Sequence, residues 1–355
     1  MEAVMLVGGQ GTRLRPLTEN TPKPMLPVAN FPCTAHQIAK AREAGVTRIV
    51  LSTSYRAEVF ESYFGAGEDF GIEIVYVVED SPLGTGGAIR NVASALRSGA
   101  EDPVIILNGD ILSGHSLQNQ VADFEQRKAD VSLHLIDVDD PRAFGLVPTD
   151  NDGRVLKFLE KPQTPEEIVT HQINAGCYVF RRRLIDAIPA GRVVSVERET
   201  FPGLLEADAH VVGYLENAYW MDLGNPLAYA KGSRDVVTGA CPSPLVHASQ
   251  NLVDATAKVE PSAEIAEGSA VGAGANISAN AQILGSVVLP GATIGEGCVV
   301  QNSIVGTNAV LGANVDIRDT VIGDGATVGA GNQLQAGARV WTGATIAPDS
   351  IRFSA

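Results

Sequence analysis

The stretch Leu6-Val7-Gly8-Gly9-Gln10-Gly11-Thr12-Arg13-Leu14-Arg15 concentrates small residues and fixed positive charge in one short loop. Three glycines in four positions (Gly8, Gly9 and Gly11) let backbone N–H groups approach a phosphate chain without interference from Cβ, and they allow positive φ where a turn needs it. Arg13 and Arg15 add cationic charge, and Lys23 in Thr21-Pro22-Lys23-Pro24-Met25 adds another close by. The chemistry this suits is the holding and neutralising of a polyphosphate. The loop is not a Walker A sequence, since no GxxxxGK[ST] occurs, and it does not follow the dinucleotide pattern GxGxxG.

Such a loop has to be presented by a strand. Short apolar runs at Val4 to Val7, Arg48 to Ser52, Ile72 to Val78, Val104 to Leu107, Val131 to Val138 and Gly176 to Phe180 read as strands, with helical patterns over 34–44 and 85–98 between the early ones. Strand, helix, strand at this spacing implies an α/β, Rossmann-like, mostly parallel sheet, whose ligands sit at the carboxyl ends of the strands. The glycine loop follows the first strand directly. Asp110 ends the strand run Val104-Ile105-Ile106-Leu107-Asn108-Gly109-Asp110, so it projects from that same edge.

After about residue 245 the period changes. Aliphatic residues recur six apart from Val253 through Val259, Ile265, Val271 and Ile277 to Ile283, and continue to Ile346 with steps of five only at 283–288, 300–305 and 317–322. Gly follows Val271, Ile294, Val305, Leu311, Ile322 and Val328 directly. A six-residue period matches neither a helix nor an alternating strand; it matches a solenoid whose aliphatic side chains stack inward. The division expected is 1–240 for the α/β domain, 241–252 for a Pro-bearing linker and 253–355 for the solenoid.

Lys plus Arg total 26 against 41 for Asp plus Glu, a formal charge of −15, which argues against a nucleic-acid or membrane-surface binder. The four cysteines are far apart and make no CxxC pair, so a reduced compartment suits them better than a disulfide framework. With no basic leader and no long apolar run, the expected location is the cytoplasm. The histidines His36, His115, His134, His171, His210 and His247 lack metal-ligand spacing, and no role is assigned to them.

Gly8-Gly9-x-Gly11-Thr12-Arg13-Leu14 followed by Pro22-Lys23-Pro24-Met25-Leu26-Pro27 resembles the signature of the sugar-1-phosphate nucleotidyltransferases. Phe158-Leu159-Glu160-Lys161-Pro162 and the hexapeptide tract, similar to the left-handed parallel β-helix family, extend the likeness over nearly the whole chain. The particular form resembles the branch that joins GTP and mannose-1-phosphate into GDP-mannose. Small departures are Asn30 where Gly is common, Gly86 where Ala is usual, and Leu223-Gly224-Asn225 where Ile-Gly-Thr is typical.

The resemblance implies a reaction in which a sugar-1-phosphate oxygen attacks the α-phosphorus of a nucleoside triphosphate. It implies catalytic roles for Arg13 and Lys23, a magnesium ion held by Asp110 and Asp222, and nucleotide contacts at Leu6, Gly8, Gly9, Gly11, Thr12, Glu79 and Gly84. It places the sugar phosphate against Gly145, Glu160, Lys161 and Asn174. Glu79 carries further information. An ionised carboxylate only accepts hydrogen bonds, and guanine offers it two adjacent donors, whereas uracil and thymine set one donor between carbonyls. A uridylyl- or thymidylyltransferase, a non-catalytic nucleotide-sugar sensor and a structural scaffold are the alternatives. The solenoid contains no histidine to serve as an acyl-transfer base, and its flat, sparsely charged faces are expected to pack on a second copy.

Overall fold

The computed structural model describes residues 1–162 and 164–353. The last two residues expected in the solenoid lie outside the described residues. The chain forms two compact units that interleave in sequence: Met1–Gly9 with Gln37–Trp220, and Gln10–His36 with Met221–Ala355. The first is the sheet unit and the second the solenoid unit. These borders cut the chain at places other than residue 240, because they follow packing, whereas the sequence border follows the change of period.

In the sheet unit the nine strands of the large sheet are β1 (Glu2–Leu6), β2 (Arg48–Thr53), β3 (Glu73–Val78), β4 (Pro103–Asn108), β5 (Val131–Asp137), β6 (Gly145–Leu146), β7 (Leu159–Glu160), β8 (Gln172–Arg181) and β9 (Val211–Leu215). Their order is β7-β6-β8-β4-β1-β2-β3, with β5 joined to both β8 and β9. The run β4-β1-β2-β3 is parallel, and β8 enters antiparallel to both β4 and β5. Strands buried on both faces read as unbroken aliphatic runs, as in Val4 and Met5 or Ile105 and Ile106, all 0% exposed. The second helical pattern ends early: the helix Gly84–Asn91 gives way to a 3-10 turn over Ala93–Ala95. Its Ile89 joins Val4, Val50, Ile106, Tyr178, Phe180 and Phe201 in the core. The order reverses about β1, the arrangement that opens a crevice at the carboxyl ends of β1 and β4.

Two histidines are buried in this unit, beside the Lys40 ammonium. The rings of His115 and His134 stack 3.8 Å apart. His115 faces Lys40 and Ser113 through Nδ1 and Gln120 through Nε2, and His134 Nε2 lies 3.2 Å from the Glu216 carbonyl. Burial, then the Lys40 ammonium and His134, hold His115 well below its ordinary value, and burial brings His134 down to about 4.

In the solenoid unit every one of the aliphatic positions falls on its own two- or three-residue strand, from Leu252–Val253 to Thr345–Ile346. Among the described residues these strands build three parallel sheets of six, six and five, the walls of a parallel β-helix. Val271, Ile277, Ile283 and their equivalents through the middle coils are buried, whereas Val253, Ile265 and Ile346 at the ends are half-buried and Val259 is exposed. The steps of five explain themselves at one corner. Val253 pairs with Val271 and Ile322 with Val340, turns in which two corner residues take positive φ (Glu267 and Gly268, Ala336 and Gly337). In the tighter turns Val271 to Val288, Val288 to Val305 and Val305 to Ile322, one residue suffices: Gly285, Asn302 or Asp319. Beside that corner runs a column of buried hydroxyls. Ser269 Oγ accepts from the Ser286 N–H, Ser286 Oγ from Ser303 and Ser303 Oγ from Thr320, at 3.0–3.1 Å. No helix among the described residues is long and apolar enough to cross a membrane.

Candidate functional site

In the sheet unit the glycine loop begins where β1 ends. Leu6 pairs with Ser52 on β2 and with Asn108 on β4, which aligns three strand ends. The loop departs under control: the Val7 N–H donates to the Ser52 carbonyl at 3.0 Å, and Gly109 N–H to the Leu6 carbonyl at 2.9 Å. A Cβ on Gly8 would lie 2.7 Å from Ser54 Oγ, so that hydroxyl would have to turn away, whereas Gly9 faces open space. Asp110 stands half-buried in the turn after β4, which stops at Asn108, two residues earlier than the sequence run implied.

Glu79 follows β3 at the same edge and is already engaged. Its Oε1 accepts from Ser52 Oγ at 3.0 Å and its Oε2 from the Leu83 N–H at 3.2 Å. A carboxylate so held presents a fixed direction and retains one free lone pair on each oxygen. Gly84 takes φ +71°, and a Cβ there would sit 2.6 Å from the Val194 carbonyl. That carbonyl also accepts the N–H groups of Gly86 and Gly87 at 2.9 and 3.2 Å. The absence of Ala at position 86 is thereby explained: a Cβ would meet Val194 Cγ1 at 2.9 Å.

The sugar-side residues gather across two short strands. Glu160 pairs with Gly145, and a Cβ on Gly145 would lie 3.3 Å from Glu160 Oε2. Lys161, at φ +45°, donates its N–H to the Phe144 carbonyl, and its Nζ stands 3.7 Å from Glu160 Oε1. Arg198 approaches the same carboxylate oxygen at 3.9 Å. Asn174 lies at the irregularity in the β8–β5 pairing, donating from Nδ2 to the Tyr178 hydroxyl at 2.9 Å and accepting the Gly176 N–H at 3.1 Å. Burial, then the charge of Glu197, pushes Tyr178 well above its usual range, so the hydroxyl stays protonated. Asn108, Ser52, Tyr178 and Arg198 were missed from sequence. For Asn108 a signal existed, because an Asn before Gly-Asp at a strand end is placed beside the loop.

In the solenoid unit the cationic half of the signature is assembled. Gly11 takes φ +57°, its carbonyl accepts from Thr18 Oγ1 at 2.8 Å, and a Cβ there would be 2.9 Å from that of Lys23. Thr12 and Arg13 lie in a 3-10 turn, Thr12–Leu14, and Lys23 opens another, Lys23–Met25. Both cations meet Asp222: Lys23 Nζ is 3.2 Å from Oδ1, and Arg13 Nη2 is 3.9 Å from Oδ2. The Lys23 side chain is only 10% exposed and that of Arg13 72%, so one is fixed by packing and the other reaches into solvent. Gly224 makes room for this group, since a Cβ would lie 2.8 Å from Arg13 Nη2. Asn30, the departure from glycine, takes φ +66° as Asn tolerates, and its Nδ2 donates to the Val271 carbonyl of the solenoid at 2.9 Å.

For magnesium, the donor chemistry fits: Asp110 and Asp222 are hard oxygen donors of limited exposure. Among the described residues no group of three or more His, Cys, Asp or Glu side chains forms a closed metal cage. A magnesium ion on one or two such carboxylates ordinarily draws its remaining ligands from water and substrate phosphates.

A family model described as nucleotidyl transferase matches residues 2–239, and one described as GMPPB C-terminal domain matches 247–348. The mannose-1-phosphate guanylyltransferase of Mycobacterium tuberculosis is 51% identical over 74% of this chain and 72% of its own length. The mannose-1-phosphate guanyltransferase of Candida albicans is 36% identical, covering 73% of each chain. Among solved structures, HddC from Yersinia pseudotuberculosis complexed with GMP-PN superposes with a TM-score of 0.56 at 27% identity, over 66% of this chain and 98% of that one. With its signature loop, parallel sheet edge and appended solenoid, the chain belongs to the nucleotidyl transferase family, in the group of the mannose-1-phosphate guanylyltransferases.

Proposed function

We propose that the protein transfers GMP from GTP to mannose-1-phosphate, releasing pyrophosphate. A phosphate oxygen of the sugar attacks the α-phosphorus of GTP, the bond from that phosphorus to the bridging oxygen breaks, and the electron pair departs on pyrophosphate. Two anions have to meet while charge moves onto the leaving oxygens, so catalysis is positioning and electrostatic stabilisation. The observation that carries this reading is the pairing of Lys23 and Arg13 with Asp222 beside a glycine turn.

Lys23, nearly buried, is the fixed cation between the reacting phosphates; Arg13, exposed, swings onto the triphosphate. Gly8, Gly9, Gly11 and Thr12 hold the phosphates, with Leu6 and Gly84 bordering the nucleotide. Glu79, oriented by Ser52 and Leu83, accepts from guanine with its free lone pairs. Glu160, Gly145 and Asn174 take the sugar hydroxyls, and Lys161 takes its phosphate. Asp110 and Asp222 would hold the magnesium ion, which would supply positive charge against the phosphates and the leaving pyrophosphate. A cytoplasmic location and a homo-oligomer packed through the β-helix complete the proposal.

The test is pyrophosphate release over four nucleoside triphosphates and three hexose-1-phosphates. GTP with mannose-1-phosphate gives the highest rate, abolished by a chelator and restored by Mg²⁺. Glu79→Gln narrows the preference for GTP by about tenfold or more, from the ~1–3 kcal/mol of a bidentate base contact. Faster turnover of UTP or dTTP, or an unchanged preference in Glu79→Gln, would refute the base assignment.

A further inference from the structure

Arg339 opens a two-residue strand of the solenoid, Arg339–Val340, and its Nη1 donates to the carbonyls of Arg13 at 3.0 Å and Arg15 at 2.7 Å. The sequence explains why an outside donor is needed there. In the turn at Thr12–Leu14, the Leu14 N–H reaches the Gly11 carbonyl at 2.9 Å and the Arg15 N–H reaches that of Thr12 at 3.2 Å. The next donor in this series would be residue 16, which is proline and has no N–H to offer the Arg13 carbonyl. A guanidinium on the solenoid meets the carbonyl that the local turn leaves over.

Other bonds fasten the same segment. Asn30 Nδ2 donates to the Val271 carbonyl, and the Asn20 side chain bonds to Asp324, which also accepts the Thr307 N–H at 2.9 Å. Among these contacts only those of Arg339 fall on the residues flanking Leu14, within the turn that aims Arg13. The Arg13 side chain is 72% exposed and its carboxylate partner is 3.9 Å away, so its direction depends on how its backbone is held.

We propose that Arg339 is a positioning residue for nucleotidyl transfer: by holding the carbonyls of Arg13 and Arg15 it fixes the direction in which the Arg13 guanidinium meets the triphosphate. The β-helix is then part of the catalytic apparatus through one side chain. This rests on the reading that Arg13 serves the nucleotide, and it goes beyond it by assigning a role to a residue in the solenoid.

The experiment is a double-mutant cycle on the full-length protein, with pyrophosphate release as the rate and circular dichroism as the check on folding. Arg339→Ala lowers kcat about tenfold, the size of one to two lost hydrogen bonds, and leaves the KM for mannose-1-phosphate unchanged. Arg339→Lys, which keeps a donor, recovers part of the rate. In an Arg13→Ala background the same Arg339→Ala change costs less than about twofold, because the group it aims is already gone. Arg318→Ala, on an exposed solenoid arginine paired with Asp316, leaves kcat at the wild-type value. If Arg339→Ala does not fold, Arg339→Gln takes its place in the cycle. A wild-type kcat in the folded variant, or an equal loss with and without Arg13, overturns the proposal. Wild-type protein inert with every nucleotide would instead overturn the functional reading, so the two failures are distinguishable.

Discussion

Gly8 and Gly9 are adjacent in the chain yet answer to different constraints. A Cβ on Gly8 would displace the Ser54 hydroxyl, whereas nothing lies within 4 Å of a Cβ on Gly9. Gly9→Ala is therefore expected to leave the melting temperature unchanged and to raise the KM for GTP severalfold; an unaltered KM would show that Gly9 does not border the phosphates. Arg13 and Lys23 could be singled out in the sequence because charge close to a glycine loop is a local signal, and Asp110 because it ends a strand run. The meeting of Lys23 with Asp222 was not, since the two are 199 positions apart and nothing in either neighbourhood encodes the other. Asn30 looked like a harmless departure from glycine. Its left-handed backbone satisfies the same turn, and its side chain adds a bond that glycine lacks.

At the scale of elements, the period of six was enough to place every short strand of the solenoid, because each aliphatic residue has one inward direction to take. The glycines behind those residues have a separate cause. A Cβ on Gly306 or Gly312 would stand 2.6 Å from backbone nitrogen in the next coil. Gly306→Ala is expected to destabilise the β-helix by about 1–3 kcal/mol, the usual cost of overpacking, and a chemical-denaturation midpoint measured against wild type checks it. The sheet was less legible. Its parallel strands declared themselves as apolar runs, but β6 and β7 are only two residues long and carry Gly145 and Glu160 in a pairing that no pattern of hydropathy marks. The helical pattern over 85–98 was read too long because Val92 and Leu96 keep helical spacing although the chain there has passed into a 3-10 turn.

Taken as a whole, the molecule buries histidines in both of its compact units, and these add to the carboxylates held low by hydrogen bonds and arginines, such as Glu2 and Glu73, in making it sensitive to acid. His134 is brought down to about 4, His115 is held well below its ordinary 6.5, and burial also lowers His36 in the solenoid unit. The unfolded chain takes up these protons near pH 6.5 while the folded one resists, so stability is full above that value and falls as the pH drops toward 4. Asp324, raised by burial, works in the opposite sense as a single group. At about 1.4 kcal/mol per pKa unit, His134 alone accounts for a loss of about 3 kcal/mol across that window. Urea midpoints between pH 7 and 4 are expected to decline, and His134→Gln to flatten the decline; a profile identical to wild type would remove His134 from the account. The sequence gives no hint of this, because six scattered histidines do not announce which of them stack or lose water.

The column of hydroxyls from Ser269 to Thr320 constrains how such a protein can change its length. The hydroxyls of Ser269, Ser286 and Ser303 each take the N–H of the counterpart one turn further on, so the column keeps count of the winding. A stray insertion along a flat wall would throw every later side chain out of phase, whereas the corner beside the column already accommodates either one or two left-handed residues. Inheritance can therefore lengthen this rod by copying whole windings, or trim it residue by residue at that single bend, and hardly in any other way.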